Sequence, residues 1–571
     1  MDNQENKKII IYQVLPRLFG SSNITPEPNG KKVQNSCGKF SDFTTKALKE
    51  IKSLGITHIW YTGIIEHSTQ TDYSKFGIRK DHPAIVKGIA GSPYAIKDYY
   101  DVDPDLAIDV PNRMKEFDNL IKRTHKAGIK VIIDFVGNHV ARQYSSDAKP
   151  KNVVDLGEED FTEHAFDPRN NFYYIPGKKF EGCFDLQQKA DKPYEEFPAK
   201  ATGNDRFDNC PNTTDWYETV KLNYGVDYCN GHCTHFQPIP NTWNKMRDIL
   251  IYWSDKKIDG FRCDMAEMVP VEFWNWVIPQ IKRKYPHIIF IAEIYNRPFY
   301  RLYLEVGKFD YLYDKVGLYD TLRAITCNNK SASALTGCWQ SLNVPQEKML
   351  NFMENHDEQR IASDFFALNG WRGIPAMIVT ACIGTNPVMI YFGQELGENG
   401  MDNEGYSGRD GRTTIFDYWC IDKIWRWRNE GKFNGKKLND NEKRLQLFYK
   451  KLLNLCNTEK AIRKGSFFDL MYVNHGNWTF NEYKQFAFFR KYEDELLLII
   501  VNFDELPANI GLNIPQHAFD SLKMKEKKDC ETIDLLTGQK EIVNLLPNKQ
   551  LNTEVPSFGG KILKIKLTSV E

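Results

Sequence analysis

Apolar positions along the chain switch repeatedly between two spacings. The segment KKIIIYQVL is a β-branched run, and ITHIWYTG and IKVIIDFV read the same way, as strands. Between the first two, SDFTTKALKEIKSLG places Phe43, Ala47, Leu48, Ile51 and Leu54 at helical spacing and stops at Gly55, a residue suited to close a helix. PNRMKEFDNLIKRTHKAG is a second helix. Further on, NTWNKMRDILIYWSDKK sets Trp243, Met246, Ile249, Leu250 and Trp253 on one helical face and leads into the strand IDGFRCDMA. The helix VEFWNWVIPQIKRKY and the strand HIIFIAEIY follow, then FDYLYD, MLNFMEN and PVMIYFG, which makes eight strands between residues 9 and 393. Strand–helix alternation predicts a parallel sheet, and eight units predict an α/β fold closed as a (β/α)8 TIM barrel. A doubly wound open sheet is the alternative, but the Gly-rich phosphate turn that such a sheet carries after its first strand is missing.

Two stretches break the alternation. After DFVGNHV no clear helix returns until about residue 241, and the gap is rich in Asp, Asn, Pro, Gly and Tyr. A structureless loop of that length does not suit a compact domain, so residues 141–236 read as a subdomain inserted after the third strand. From about residue 465 the helices stop. FFDLMYV, QFAFFRKY, ELLLIIVNF and KILKIKL then predict a C-terminal antiparallel β-sandwich over 465–571, leaving 1–140 and 237–464 for the barrel.

Composition adds little to this. The 571 residues are 41% hydrophobic and 26% charged, as in ordinary soluble domains. Lysine plus arginine equals aspartate plus glutamate at 75 each, which gives no electrostatic case for nucleic acid or an anionic membrane. No apolar run approaches the roughly 20 residues of a membrane span. The N-terminal MDNQENKK has none of the parts of a secretory signal. The expected compartment is cytoplasmic if the sequence is full length, and secreted or periplasmic if a signal was removed. Most of the 12 cysteines sit singly in apolar runs, such as Cys263 and Cys382, and read as reduced core residues. The exception is DYCNGHCTHF, with Cys229, His232, Cys233 and His235. Its spacing fits no common zinc pattern, so a local disulfide or simple packing is the better reading.

The strand DGFRCDM changes the picture. Side chains alternate along a strand, so Gly260, Arg262 and Asp264 share the face that points into a barrel, while Phe261 and Cys263 face the helices. A buried Arg–Asp pair tying strands together would explain this strand alone. Three other strands end the same way: Asp134, Asn138 and His139 in IIDFVGNHV, Glu293 in FIAEIY, and Asn355, His356 and Asp357 in FMENHDEQR. Charges are rarely buried unless paired, and four polar clusters at one rim cost too much to be structure only. The C-terminal rim is where such barrels build active sites. Asp264 and Glu293 lie one βα unit apart, hence on adjacent strands. No Ser–His–Asp order and no phosphate loop is present. Carboxylates flanking a bond in an aromatic-rich cleft suit glycoside hydrolysis, one attacking or activating water and the other protonating the leaving oxygen.

With these residues the chain resembles the alpha-amylase family, glycoside hydrolase family 13. DFVGNH, GFRCDMAEM, AEIY and ENHDEQR occur in that family's order, and SPYAIKDYY and MIYFGQELG are weaker echoes. The resemblance implies a retaining enzyme acting on α-1,4-glucosidic bonds of starch-like glucans or maltooligosaccharides. It implies Asp264 as nucleophile, Glu293 as acid and then base, and Asp357 as the carboxylate on the sugar hydroxyls. His139 and His356 would hydrogen-bond the same sugar, Tyr94 would stack beneath it, and Arg262 would keep Asp264 ionised. A nearby guanidinium lowers a carboxylate's pKa by ~1–3 units, and a retaining pair lies about 5–5.5 Å apart. A transglycosidase or isomerase of the same family shares these motifs. A silent carbohydrate-binding homologue would be expected to lose one of the three carboxylates, and all are present.

Three departures from the family pattern stand out. Glu267 and Met268 follow the nucleophile where Lys-His is common, which affects the leaving-group side. Many members bind calcium through the asparagine matching Asn138 and an aspartate whose place Lys221 takes in VKLNYGVDY. A second calcium loop resembles NSCGKFSDF, with Lys39 in place of an acidic residue. An ammonium cannot ligate calcium, so the expectation is that no cofactor is required, with calcium kept as the alternative at altered ligand positions, and that Lys221 supplies the missing positive charge.

Overall fold

A computed structural model describes residues 7–188 and 190–566. Eight parallel strands close into a barrel. They are β1 (Ile10–Val14), β2 (His58–Tyr61), β3 (Lys130–Val136), β4 (Gly260–Asp264), β5 (Ile289–Ala292), β6 (Tyr311–Tyr313), β7 (Met349–Phe352) and β8 (Val388–Tyr391). Each pairs with its sequence neighbour, and β1 closes on β8 with Ile10 opposite Val388. All eight fall on the segments that the apolar pattern marks as strands.

Strand alternation separates two cores. Ile11, Trp60, Ile132, Ile291, Leu350 and Met389 form a small cluster inside the barrel. The opposite faces join the large core beneath the helices, which includes Phe261, Cys263 and Phe290. Gly260 is required where β4 meets β5, because a Cβ there would lie 2.7 Å from Ile289 Cγ1. The helix Thr45–Ser53 starts at Thr44, whose hydroxyl accepts from the Ala47 N–H, and it ends before Gly55 at φ +98°. Asn241–Asp255 buries Trp243, Met246, Ile249, Leu250 and Trp253, as its spacing predicts.

The long gap after β3 holds only strands of two or three residues among the described residues. His139–Ala141 pairs with Thr219–Lys221, which sets His139 opposite Lys221. Cys183 and Cys210 form a disulfide within this stretch. The other ten cysteines are free, and Cys263 and Cys382 are buried as expected; this pair, 27 positions apart, is the exception that the sequence reading did not mark. Cys229 and Cys233, by contrast, are exposed free thiols and form no local bridge. Asp227 caps their turn, accepting from the backbone N–H groups of Cys229 and Asn230 at 3.1 Å. Among the described residues no group of three or more His, Cys, Asp or Glu is placed to hold a metal ion.

After the barrel, a six-stranded antiparallel sheet runs in the order Ser466–Asp469, Gln485–Tyr492, Glu495–Asn502, Gly559–Lys566, Lys527–Asp534, Lys540–Leu545. Ala508–Ile514 and Lys549–Val555 pair beside it. The first strand is shorter than FFDLMYV predicts, because the chain turns after Asp469, whose carboxylate accepts from the Met471 N–H. The helix Ile374–Cys382 is buried on every side and packs against this sheet as well as β7, which explains its uniformly apolar sequence. No helix among the described residues is long and apolar enough to cross a membrane.

Candidate active site

The C-terminal ends of β3, β4, β5 and β7 carry the polar clusters to one mouth of the barrel. There they surround a cavity of about 320 Å³. Tyr94, His139, Asp264, Glu293, His356 and Asp357 all line it. Arg262, the seventh residue named from sequence, lies fully buried behind that wall. Register places it there, since β4 pairs Arg262 with Asp134 of β3, and Cys263 faces Ala292 of β5. The next positions, Asp264 and Glu293, therefore leave neighbouring strand ends side by side.

Arg262 serves both. Its Nη1 donates to Asp264 Oδ1 at 2.6 Å, and its Nη2 lies 2.7 Å from Glu293 Oε2. Asp134 is a third, weaker partner at 3.5 Å. The guanidinium is fixed from around: Nε donates to Tyr313 Oη at 3.2 Å, and the rings of Trp60, Tyr94 and Tyr313 lie within 5.2–5.6 Å of it. Burial pushes the Asp264 carboxyl well up, Arg262 opposes this, and neighbouring Glu293 adds to the rise. Arg262 pulls this carboxyl down, as expected, but does not set the net direction. One positive charge is shared among three buried carboxyls, and desolvation outweighs its pull.

Asp357 is the most open of the three rim carboxylates, with 43% of its side chain exposed. Desolvation raises it, but His356 at 2.9 Å, with Arg262 and Arg412, brings its pKa below the usual range. The amide nitrogen of Gln13 sits 2.8 Å from His356 Nδ1, which makes Nδ1 the acceptor and leaves the proton on Nε2, facing Asp357. Tyr94 stacks on the His356 ring at 5.0 Å and 24°. His139 is pushed down to about 3, by burial first and then by Lys221 and Lys87, and so stays neutral. Asn138 Nδ2 meets its Nδ1 at 3.2 Å. That leaves Nε2–H as a donor.

Two further neighbours of Glu293 stand out, Tyr295, which the sequence reading did not name, and Glu267, which it marked without a partner. Tyr295 lines the cavity and donates from its hydroxyl to Glu293 Oε1 at 2.7 Å. Glu267 accepts from the backbone N–H groups of Tyr295 at 3.1 Å and Asn296 at 3.0 Å. The residues after Asp264 are thereby stitched to those after Glu293, as the Met265 N–H also donates to Glu293 Oε2 at 2.9 Å. Alternation gave a signal for Tyr295, two positions beyond Glu293. For Glu267 nothing local did, because its partners are backbone groups of another strand's loop. Trp216, from the insertion, also lines the cavity and lies 5.2 Å from the His139 ring.

The family's calcium position does not fit a cation here. Lys221 Nζ donates to Asn138 Oδ1 at 2.6 Å, reaches the Met268 carbonyl at 3.3 Å and pairs with Asp205 at 2.5 Å. These oxygens are gathered around an ammonium instead. The second loop behaves alike, with Lys39 donating to the Asp105 carbonyl.

Carboxylates converging on a cavity at the C-terminal mouth of a TIM barrel define a glycoside hydrolase. The family model for the alpha-amylase catalytic domain matches residues 13–465, and the chain belongs to the alpha-amylase family. It is 22% identical over 567 residues to Alpha-amylase 3 of Dictyoglomus thermophilum, spanning 95% of this chain and 94% of that protein. Over 533 residues it is 21% identical to a cyclomaltodextrinase of Thermoanaerobacter pseudethanolicus, spanning 91% and 74%. An alpha-amylase structure from Geobacillus thermoleovorans, complexed with acarbose, shares the fold over 100% of both chains, with a TM-score of 0.64 at 18% identity.

Proposed function

We propose that this chain is a retaining α-glycoside hydrolase that cleaves α-1,4 bonds of starch-like glucans or maltooligosaccharides. The observation that carries this reading is the single buried guanidinium holding Asp264 and Glu293 together at the cavity wall. In the first step an Asp264 oxygen bonds to the anomeric carbon, the bond to the glycosidic oxygen breaks, and the Glu293 proton goes to that leaving oxygen. In the second step Glu293 takes a proton from water, the water oxygen bonds to the anomeric carbon, and Asp264 is released. Asp357, with His356 beside it, accepts from sugar hydroxyls. His139 donates to the same ring, and Tyr94 packs beneath it. Tyr295 fixes the Glu293 carboxyl, and Glu267 fixes Tyr295. Lys221 supplies positive charge at the position beside Asn138 where many members of the family place calcium.

NMR of the first products from maltotriose, starch, pullulan and sucrose tests this. Initial α-anomers are expected from the glucan substrates. Initial β-anomers would overturn the retaining mechanism. A second reading is transglycosylation, favoured by Trp216, Tyr295 and Phe416, which offer the cavity an aromatic wall for an acceptor sugar. Oligosaccharides longer than the substrate would appear in the same spectra.

A further inference from the structure

The opposite mouth of the barrel holds a second cavity, of about 450 Å³. It is built at the N-terminal ends of the strands, from residues that begin β2, β3, β5 and β6 or immediately precede β1 and β8. Six lysines line it: Lys7, Lys8, Lys52, Lys130, Lys348 and Lys464. The sole carboxylate in its wall is Glu347. In a chain whose charges balance overall, this local excess is not a matter of composition.

Two of these ammonium groups have structural employment. Lys8 donates to the carbonyls of Ala381 and Gly384 at 2.7 Å, and Lys52 to that of Gly128 at 2.7 Å. Lys7, Lys130, Lys348 and Lys464 make no ion pair with a carboxylate among the described residues. The field in the cavity is felt by its neighbours. Lys52 is held below its usual pKa by burial and then by Lys7, and His58 by burial, Lys130 and Lys52. Gathering like charges in a low-dielectric recess costs free energy and concentrates counter-anions there. The rest of the wall is chemically distinct: Ile9, Ile289 and Tyr311 give it an apolar and aromatic part, and Thr57 and Thr385 add hydroxyls.

We propose that this cavity binds a small phosphate-bearing anion. Several point charges lining one half-open recess suit a single multiply charged group. The apolar wall leaves room for a ring attached to the phosphate. The site is remote from the carboxylate mouth and does not depend on the proposed reaction.

Isothermal titration of the full chain at fixed ionic strength tests it, with inorganic phosphate, inorganic pyrophosphate, glucose 1-phosphate and glucose as probes. Saturable binding of pyrophosphate or glucose 1-phosphate is expected, with none for glucose. The double variant K130M/K348M should weaken it at least tenfold, while K130R/K348R keeps it; circular dichroism verifies that both fold. Tighter binding of glucose 1-phosphate than of phosphate assigns the apolar wall to a sugar ring, whereas equal binding assigns the site to the free anion. The proposal is overturned if no probe saturates, if K130M/K348M binds as wild type does, or if chloride at matched ionic strength gives the same heat.

Discussion

The two mouths of the barrel treat charge in opposite ways. At the C-terminal mouth, Asp134, Asp264 and Glu293 share one guanidinium, and Trp60 of a neighbouring strand donates to Asp134. At the N-terminal mouth six lysines and one carboxylate line the recess, and four of the lysines make no ion pair among the described residues. A histidine buried at each mouth, His139 and His58, is pushed down to about 3. The carboxylate mouth is preorganised: its groups are fixed before a ligand arrives, as electrostatic catalysis requires. Among the described residues the lysine mouth carries more positive than negative charge, which is what the proposed anion site requires.

The largest expected effect breaks the carboxylate mouth. Asp264→Asn should lower kcat by about 10⁴-fold or more, measured on maltooligosaccharides with a fold check by circular dichroism. Turnover near wild type would remove the nucleophile assignment. Next comes the ammonium beneath that mouth. Lys221→Met leaves Asn138 and Asp205 without their donor and should cost about 2 kcal/mol of stability, softened because Asp205 is partly exposed. Wild-type Tm should ignore EDTA, whereas Lys221→Asp should make Tm depend on calcium. Chelator-sensitive wild-type stability would defeat the proposed replacement.

A smaller effect separates positioning from packing. Tyr295→Phe should lower kcat about tenfold with KM little changed, as loss of one hydrogen bond predicts. Glu267→Ala should do the same, and the double variant should be no worse than Tyr295→Phe alone, because Glu267 acts through Tyr295. Additive losses in that cycle would separate the two residues.

The smallest effect concerns the lysine mouth. The folded state holds His58 neutral down to about pH 3, while an unfolded histidine titrates near ~6.5. Between these values the unfolded chain binds the extra proton, so stability falls as pH drops. His58→Gln removes that penalty and should gain about 1.5 kcal/mol on wild type between pH 6.5 and 5. Urea midpoints at the two pH values measure it, and a difference independent of pH would show that His58 is not held neutral by its surroundings.

Much of this was legible in the sequence, because strands and helices impose spacings that a linear pattern records. Alternation in DGFRCDM put Arg262 and Asp264 on the inner face, and eight strand–helix units fixed the barrel and the mouth at which Asp134, Glu293 and Asp357 meet. The insertion was visible as a gap, but its Cys183–Cys210 bridge was not, since spacing does not tell which cysteines come together. Only the tertiary structure decided that Arg262 spans to Glu293, that burial outweighs its pull on Asp264, and that Glu267 reaches the loop of Tyr295. The lysine cavity was equally invisible, because its members come from strand starts and helices far apart in sequence. Local periodicity is a property of the chain. The sharing of one charge, or the lack of a counter-charge, depends on distances that exist only after the barrel has closed.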